Sequence, residues 1–235
     1  MTSIQTMNMD LEPEINVSIQ RKDGRANLDM QEIFIQKGSK IDCSSSVYLE
    51  TTHLKLLCSV NGPAYLSSIS KSKNDDANKM NINVRLAFPS YLEPVLNKNS
   101  IEMLLEDLFS QNILVDKYPR TKLNIKLDVL EYKCDILPFA VMAISLALVY
   151  ANIEQKGIST CANIIVKNGE VIVDPTQDEE IGAEFKLTFG SLVDFQENNI
   201  FIQNGSVENN SFKIVIGTAI KMCEAYQKFL LSKLN

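Results

Sequence analysis

The sequence predicts a mixed α+β domain, and three observations carry that reading. Apolar and polar residues alternate strictly in two places. Met80, Ile82, Val84 and Leu86 alternate with Asn81, Asn83 and Arg85, and Leu123, Ile125, Leu127 and Val129 repeat the pattern. Alternation with a period of two puts one face of a strand in a core. Ile101, Leu104, Leu105 and Leu108 instead follow helical spacing. Between the two strand-rich halves lies an uncharged run, 136–153 (ILPFAVMAISLALVYANI), which reads as a helix buried on all sides.

Each further element has its own signal. The runs 32–36 (EIFIQ), 46–50 (SVYLE) and 54–60 (LKLLCSV) read as strands, with Asn61-Gly62-Pro63 expected to end the third. The polar stretch 67–79 reads as an exposed loop. Ser100 is placed as the N-cap of the first helix. Short strands are expected near 161–166, 171–173 and 185–189. A last amphipathic helix spans 209–234, with Phe212, Val215, Ala219, Met222, Tyr226 and Phe229 as its apolar stripe. Residues 1–20 read as a polar, acidic arm and residues 21–235 as the folded domain.

The bulk composition narrows the function. The chain has 235 residues and a net charge of -6. A free-standing nucleic-acid binder draws its affinity from neutralising phosphates and is normally basic. An acidic chain argues against solitary RNA binding but not against lending cations to a shared surface. The five cysteines, Cys43, Cys58, Cys134, Cys161 and Cys223, form no CxxC pair and read as reduced thiols. His53 is the only histidine and no ligand spacing appears, so no zinc site is expected, and no cofactor is called for. The first fifteen residues lack the pattern of a signal peptide. The run 136–153 has the length of a membrane span, but it opens on Pro138 and lacks a basic flank at its end, so no membrane association is expected.

Several motifs, in order, resemble the RNase PH family. They are Arg21-Lys22-Asp23-Gly24-Arg25, Tyr48-Leu49-Glu50 with 55–63 (KLLCSVNGP), Tyr118-Pro119-Arg120-Thr121, Ser145-Leu146-Ala147-Leu148, and Val173-Asp174-Pro175-Thr176 followed by Glu179-Glu180. The resemblance spans residues 20 to 232. It implies an RNase PH-like fold of two β-α halves around packed central helices. It also implies a place in a six-membered ring with other RNase PH-type subunits of a eukaryotic RNA exosome, most like the mRNA transport regulator three type. S1/KH-type cap subunits and single-stranded RNA are the further partners implied. The implied work is RNA processing and decay, ribosomal RNA included, in nucleus, nucleolus and cytoplasm.

Active members of the family hold phosphate in a Gly-Thr-Arg turn before the central helix. The matching positions here are Asp135, Ile136, Leu137 and Pro138, after Lys133 and Cys134. A carboxylate repels phosphate, two apolar groups replace the hydroxyl and the guanidinium, and proline lacks a donor. Active members also carry two aspartates six residues apart. One alignment puts Glu179 and Phe185 there, and a one-residue shift puts Asp178 and Glu184 there. Asp174, Asp178, Glu179, Glu180 and Glu184 form an acidic cluster with two readings, a weak cation site and, the plainer one, a solvated loop. Lys98 is the one cation kept where active members carry paired arginines before the first helix, and Lys71 and Lys73 lie earlier, in the polar stretch that follows the Gly62-Pro63 turn. These three are the expected RNA contacts, Lys133 reads as a solvated surface lysine, and no catalysis is expected from this chain. The alternative is an active phosphate-dependent 3′–5′ exoribonuclease.

Overall fold

A computed structural model describes residues 21–65, 80–92, 97–195 and 197–234. The chain runs β1 (Phe34–Lys37), β2 (Ser45–Thr51), β3 (Leu54–Tyr65), β4 (Asn81–Ala87), α1 (Lys98–Asn112), β5 (Thr121–Tyr132), α2 (Leu137–Tyr150), β6 (Ser159–Lys167), β7 (Glu170–Val173), α3 (Gln177–Glu180), β8 (Phe185–Leu192), β9 (Glu197–Gly205) and α4 (Asn209–Ser232). The first half forms a 5-stranded sheet of order β1-β2-β3-β5-β4, and the second a 4-stranded sheet of order β7-β6-β8-β9. Among the described strands only β4 and β5 run parallel, and α1 makes the crossover between them.

Helix α2 explains why the halves pack as one body. It touches β2 and β3 of one sheet and β6 of the other. Every residue from Leu137 to Leu148 is buried. A helix between two sheets has no solvent side, so it needs no polar stripe. Pro138 sits in its first turn, where a missing N–H costs nothing. Helix α4 packs on β6 and β8, with Val215, Ala219, Met222 and Tyr226 buried from the expected stripe. The alternating strands β4 and β5 bury Val84, Leu86, Leu123, Ile125, Leu127 and Val129, as their period demands. No helix among the described residues is long and apolar enough to cross a membrane.

Four expectations need correction. Strand β3 continues through Gly62-Pro63 to Tyr65, because a register shift between Asn61 and Ala64 absorbs the interruption before pairing resumes at Ala64↔Lys122. Gly62 is required there: its φ is 126°, and an added Cβ would lie 2.7 Å from the Lys122 carbonyl oxygen. Helix α1 starts at Lys98 with Asn97 as N-cap, so Ser100 lies inside the first turn and caps nothing. Strand β9 was not expected, since its sequence ENNIFIQNG is mostly polar. The acidic stretch after Thr176 is not a loop but the helical turn α3. The arm 1–20 and the polar loop 67–79, with Lys71 and Lys73, lie outside the described residues.

The edge of the first sheet is sealed by carboxylates. The Leu86 N–H donates to Glu102 Oε1 at 2.7 Å and the Val84 N–H to Glu106 Oε1 at 2.8 Å. Two acceptors one helical turn apart on α1 thus meet alternate donors of β4. This blocks strand addition at that edge. Glu102 is buried, and Arg85 and Lys98 balance its charge at 3.2 and 3.9 Å. Glu102→Ala is expected to destabilise the chain by about 1–3 kcal/mol, the usual cost of stranding a buried donor. Urea denaturation checks this; an unchanged midpoint would show that the edge needs no such cover.

Candidate functional site

Residues 21–25 fold back against the turn after β7. The Arg21 side chain is fully buried. Its Nε and Nη2 donate to Glu179 Oε1 and Oε2 at 2.8 and 3.0 Å. Nη1 donates to the Val173 and Ala26 carbonyls at 3.0 and 3.4 Å, and Nη2 also reaches the Asp174 carbonyl at 3.1 Å. All the donors of this guanidinium are therefore used. Arg25 donates to Asp23 Oδ2 at 2.7 Å and to the Asp29 and Asp174 carbonyls. His53 Nε2 lies 3.2 Å from the same Asp23 oxygen. Burial pushes the Asp23 carboxyl up, but Arg25 and His53 outweigh it and hold it at about 2.

On the other side of this knot, Thr176 and Glu179 form a capping box. The Glu179 N–H donates to Thr176 Oγ1, and the Thr176 N–H donates to Glu179 Oε2 at 2.7 Å. Burial raises Glu179, yet Arg21 and the Thr176 N–H leave it below its ordinary value. Asp174 has a φ of 46° and is buried. Its Oδ2 accepts from the Gln31 N–H at 3.1 Å and from the Tyr226 hydroxyl of α4. Burial drives its carboxyl up despite these donors and the two arginines.

The acidic positions read from the sequence are thereby separated. Glu179 serves Arg21 and the cap. Phe185 is buried on β8, edge-on to Phe212 at 6.0 Å. Asp178 is exposed and pairs with Lys22 at 2.9 Å. Glu184 is exposed and accepts from the Asn168 N–H at 3.1 Å. No ion pair or hydrogen bond joins either alternative couple among the described residues. No group of three or more His, Cys, Asp or Glu there is arranged to hold a metal ion.

The turn before α2 packs directly on this knot. Cys134 bridges Thr176, the Gln177 N–H donates to the Lys133 carbonyl at 2.8 Å, and the Lys133 N–H donates to the His53 carbonyl at 2.7 Å. Ile136, Leu137 and Pro138 are buried. Asp135 Oδ1 accepts the Leu137 N–H at 3.1 Å, and its Oδ2 lies 3.0 Å from Lys186 Nζ. Lys186 also meets Glu180 at 2.8 Å. Burial pulls Lys186 down, but Asp135 and Glu180 leave it raised and charged. The amide at the start of α2 is thus engaged by the chain's own carboxylate, which a lysine neutralises.

Lys133 is exposed and lies 3.8 Å from Glu131, as a solvated lysine would. Lys98 is half-buried at the β4 edge and makes its ion pair with Glu102, not with this turn. Sequence reasoning missed Lys186, His53 and Tyr226. Lys186 alternates outward on an apolar strand, and nothing local marks it as the partner of Asp135.

The two sheets around α2 form the RNase PH fold. The solved structure of rice (Oryza sativa) Rrp46 superposes with a TM-score of 0.81, covering 91% of this chain and 99% of that one at 20% identity. The RNase PH model, described as "3′ exoribonuclease family, domain 1", matches residues 29–154. The chain belongs to the RNase PH family. Among its relatives, a putative exosome complex component RRP41 of Caenorhabditis elegans is 32% identical over 180 residues, 73% of each chain. The exosome complex component Rrp41 of Methanopyrus kandleri is 28% identical over 214 residues, 88% of this chain and 89% of that one. These names give no support to the mRNA transport regulator three type.

Arg21→Ala is expected to destabilise the fold by about 3–5 kcal/mol, because it leaves a largely buried carboxylate without its partner. Burial raises Glu179, but Arg21 and the Thr176 amide hold it below its ordinary value. Its stabilisation is complete above the unfolded-state pKa and fades as pH falls through the folded one. The gap between wild type and Arg21→Ala should therefore narrow from neutral pH toward about pH 3. Urea midpoints across that range check it; a gap independent of pH would show that the ion pair does not set the loss.

Proposed function

We propose that this chain is a non-catalytic RNase PH-type subunit of an RNA exosome core ring. It joins other RNase PH-type subunits in a six-membered ring beneath S1/KH-type cap subunits. It helps to line the channel for single-stranded RNA on the way to 3′–5′ processing or decay, in the nucleus, nucleolus and cytoplasm. Family membership and relatives named as exosome components support the ring assignment. Lys98, at the start of α1, is its proposed contact to RNA among the described residues, with Lys71 and Lys73, which lie outside them, as further candidates.

The observation that carries the non-catalytic reading is the Asp135–Lys186 pair in the turn before α2. Phosphorolysis needs phosphate held in line with the last phosphodiester, by donors fixed before the reaction. Here one donor is engaged by Asp135, Pro138 has none, and Ile136 and Leu137 present hydrocarbon. Hydrocarbon cannot replace the hydrogen bonds phosphate loses on leaving water. Loss of one oxyanion-type donor typically costs about 10²–10³ in rate. Restoring only Leu137→Arg leaves Asp135 and Pro138 in place and is not expected to create activity.

The test is incubation with 3′-labelled RNA, phosphate and magnesium, of the chain alone and in a ring where it is the only unmutated subunit. An active RNase PH serves as control. No phosphate-dependent release of nucleoside diphosphates is expected. Release at a rate near the control's would establish an active exoribonuclease instead.

A further inference from the structure

Asp174 is a third carboxyl beside two completed ion pairs. Arg21 pairs with Glu179, and Arg25 pairs with Asp23, against which His53 also lies. Lys22 and Asp178 pair outside, in solvent. Both guanidiniums reach Asp174, but they donate to its main-chain carbonyl, at 3.1 and 3.2 Å, and not to its carboxyl. The charges of the knot therefore balance without Asp174.

Its two carboxyl oxygens have different surroundings. Oδ2 accepts from the Gln31 N–H at 3.1 Å and from the Tyr226 hydroxyl. Oδ1 is buried with no hydrogen-bond partner among the described residues, and so is Oε1 of Gln31. Asp174 and Gln31 are only 2% and 4% exposed, so bulk water does not supply the missing donor. Gln31 Nε2 lies 3.5 Å from the Asp174 carbonyl, which leaves Oε1 as the unused atom of that amide. Two buried acceptors on residues already in contact thus lack a donor, and a buried acceptor without a donor is costly. A single proton answers both.

We propose that the folded chain takes up a proton from solvent at Asp174, carries it on Oδ1 and donates it to Gln31 Oε1. Burial acts in the same direction, against the carboxylate, and outweighs Tyr226, the Gln31 N–H and the two arginines. The other titratable groups that face Asp174 add no charge. Burial raises the Cys134, Cys161 and Cys223 thiols and the Tyr226 hydroxyl, so all four stay neutral. Protonated, Asp174 holds Gln31 by main chain and side chain at once, and Tyr226 of α4 through Oδ2. Ionised, it leaves one carboxylate oxygen bare and away from water. The proton content of the chain is thereby coupled to the clamp between residues 21–31, the end of β7 and α4. A carboxyl whose folded pKa lies above its unfolded one stabilises most below the unfolded pKa, and that contribution is lost as pH rises through the folded one. This inference is independent of the phosphate-site reading.

The experiment reads the ¹³C shift of the Asp174 carboxyl carbon against pH in the full-length chain, in wild type and in Gln31→Met, which removes the acceptor at similar volume. Urea denaturation of wild type and Asp174→Asn over the same pH range accompanies it. The wild-type carboxyl is expected to titrate above the ordinary aspartate value, and Gln31→Met to bring that titration down. Asp174→Asn, a neutral isostere, is expected to gain on wild type as pH rises. The gain is about tenfold in the folding equilibrium for each pH unit between the unfolded and folded pKa. A wild-type carboxyl that titrates at or below the ordinary value would overturn the proposal. So would a titration that stays or rises in Gln31→Met, because the amide would then not be the proton's acceptor. A stability gap to Asp174→Asn that is independent of pH would overturn it as well. If Asp174→Asn does not fold, the two carbon titrations decide alone.

Discussion

The structure around the candidate site depends on one buried guanidinium. Arg21 is removed from water, and a cation in that position is costly unless every donor finds an acceptor. The chain provides a carboxylate and three carbonyls, drawn from Ala26, from the end of β7 and from α3. Meeting that demand fixes where Val173, Asp174 and Glu179 lie. The turn after β7 then fixes the turn before α2, through the Cys134–Thr176 bridge and the Gln177–Lys133 hydrogen bond. Tyr226 ties α4 to the same place through Asp174. A motif at the start of the domain thus holds in register segments that lie more than a hundred residues away.

This changes the meaning of the acidic stretch. Carboxylates clustered after a strand look like metal or proton chemistry when read in line. In space, Glu179 neutralises Arg21, Asp178 meets Lys22, and Glu180 shares Lys186 with Asp135. Each of these three carboxylates has a nearby positive charge. The turn before α2 follows the same logic. Asp135 satisfies the helix-start amide from within, and Lys186 pairs with that carboxylate. A site whose electrostatics are already balanced offers an external phosphate little gain.

What the sequence made legible was local and periodic. Alternation located β4 and β5, and the uncharged run located α2, because burial imposes those patterns directly. The expected loss of the Gly-Thr-Arg turn rests on residue types at matched positions alone. Strand β9 was not legible, because its polar flanks hide an apolar centre of only Ile200, Phe201 and Ile202. Strand β3 was cut short because Gly62-Pro63 reads as a stop, while the sheet absorbs it as an irregularity. The partnerships Arg21–Glu179 and Asp135–Lys186 were hidden for another reason. They join distant segments, and no periodicity reports on pairs that only the fold brings together.

On the proposed reading, Asp135 holds the amide at the start of α2 and leaves phosphate no free donor there. The most direct measurement is an amide ¹H–¹⁵N chemical-shift titration of the chain with inorganic phosphate, read at Leu137. The account predicts that the Leu137 resonance stays in place through millimolar phosphate, and that it moves in Asp135→Ala, where the carboxylate is gone. A saturable shift of Leu137 in the wild-type chain would contradict the account.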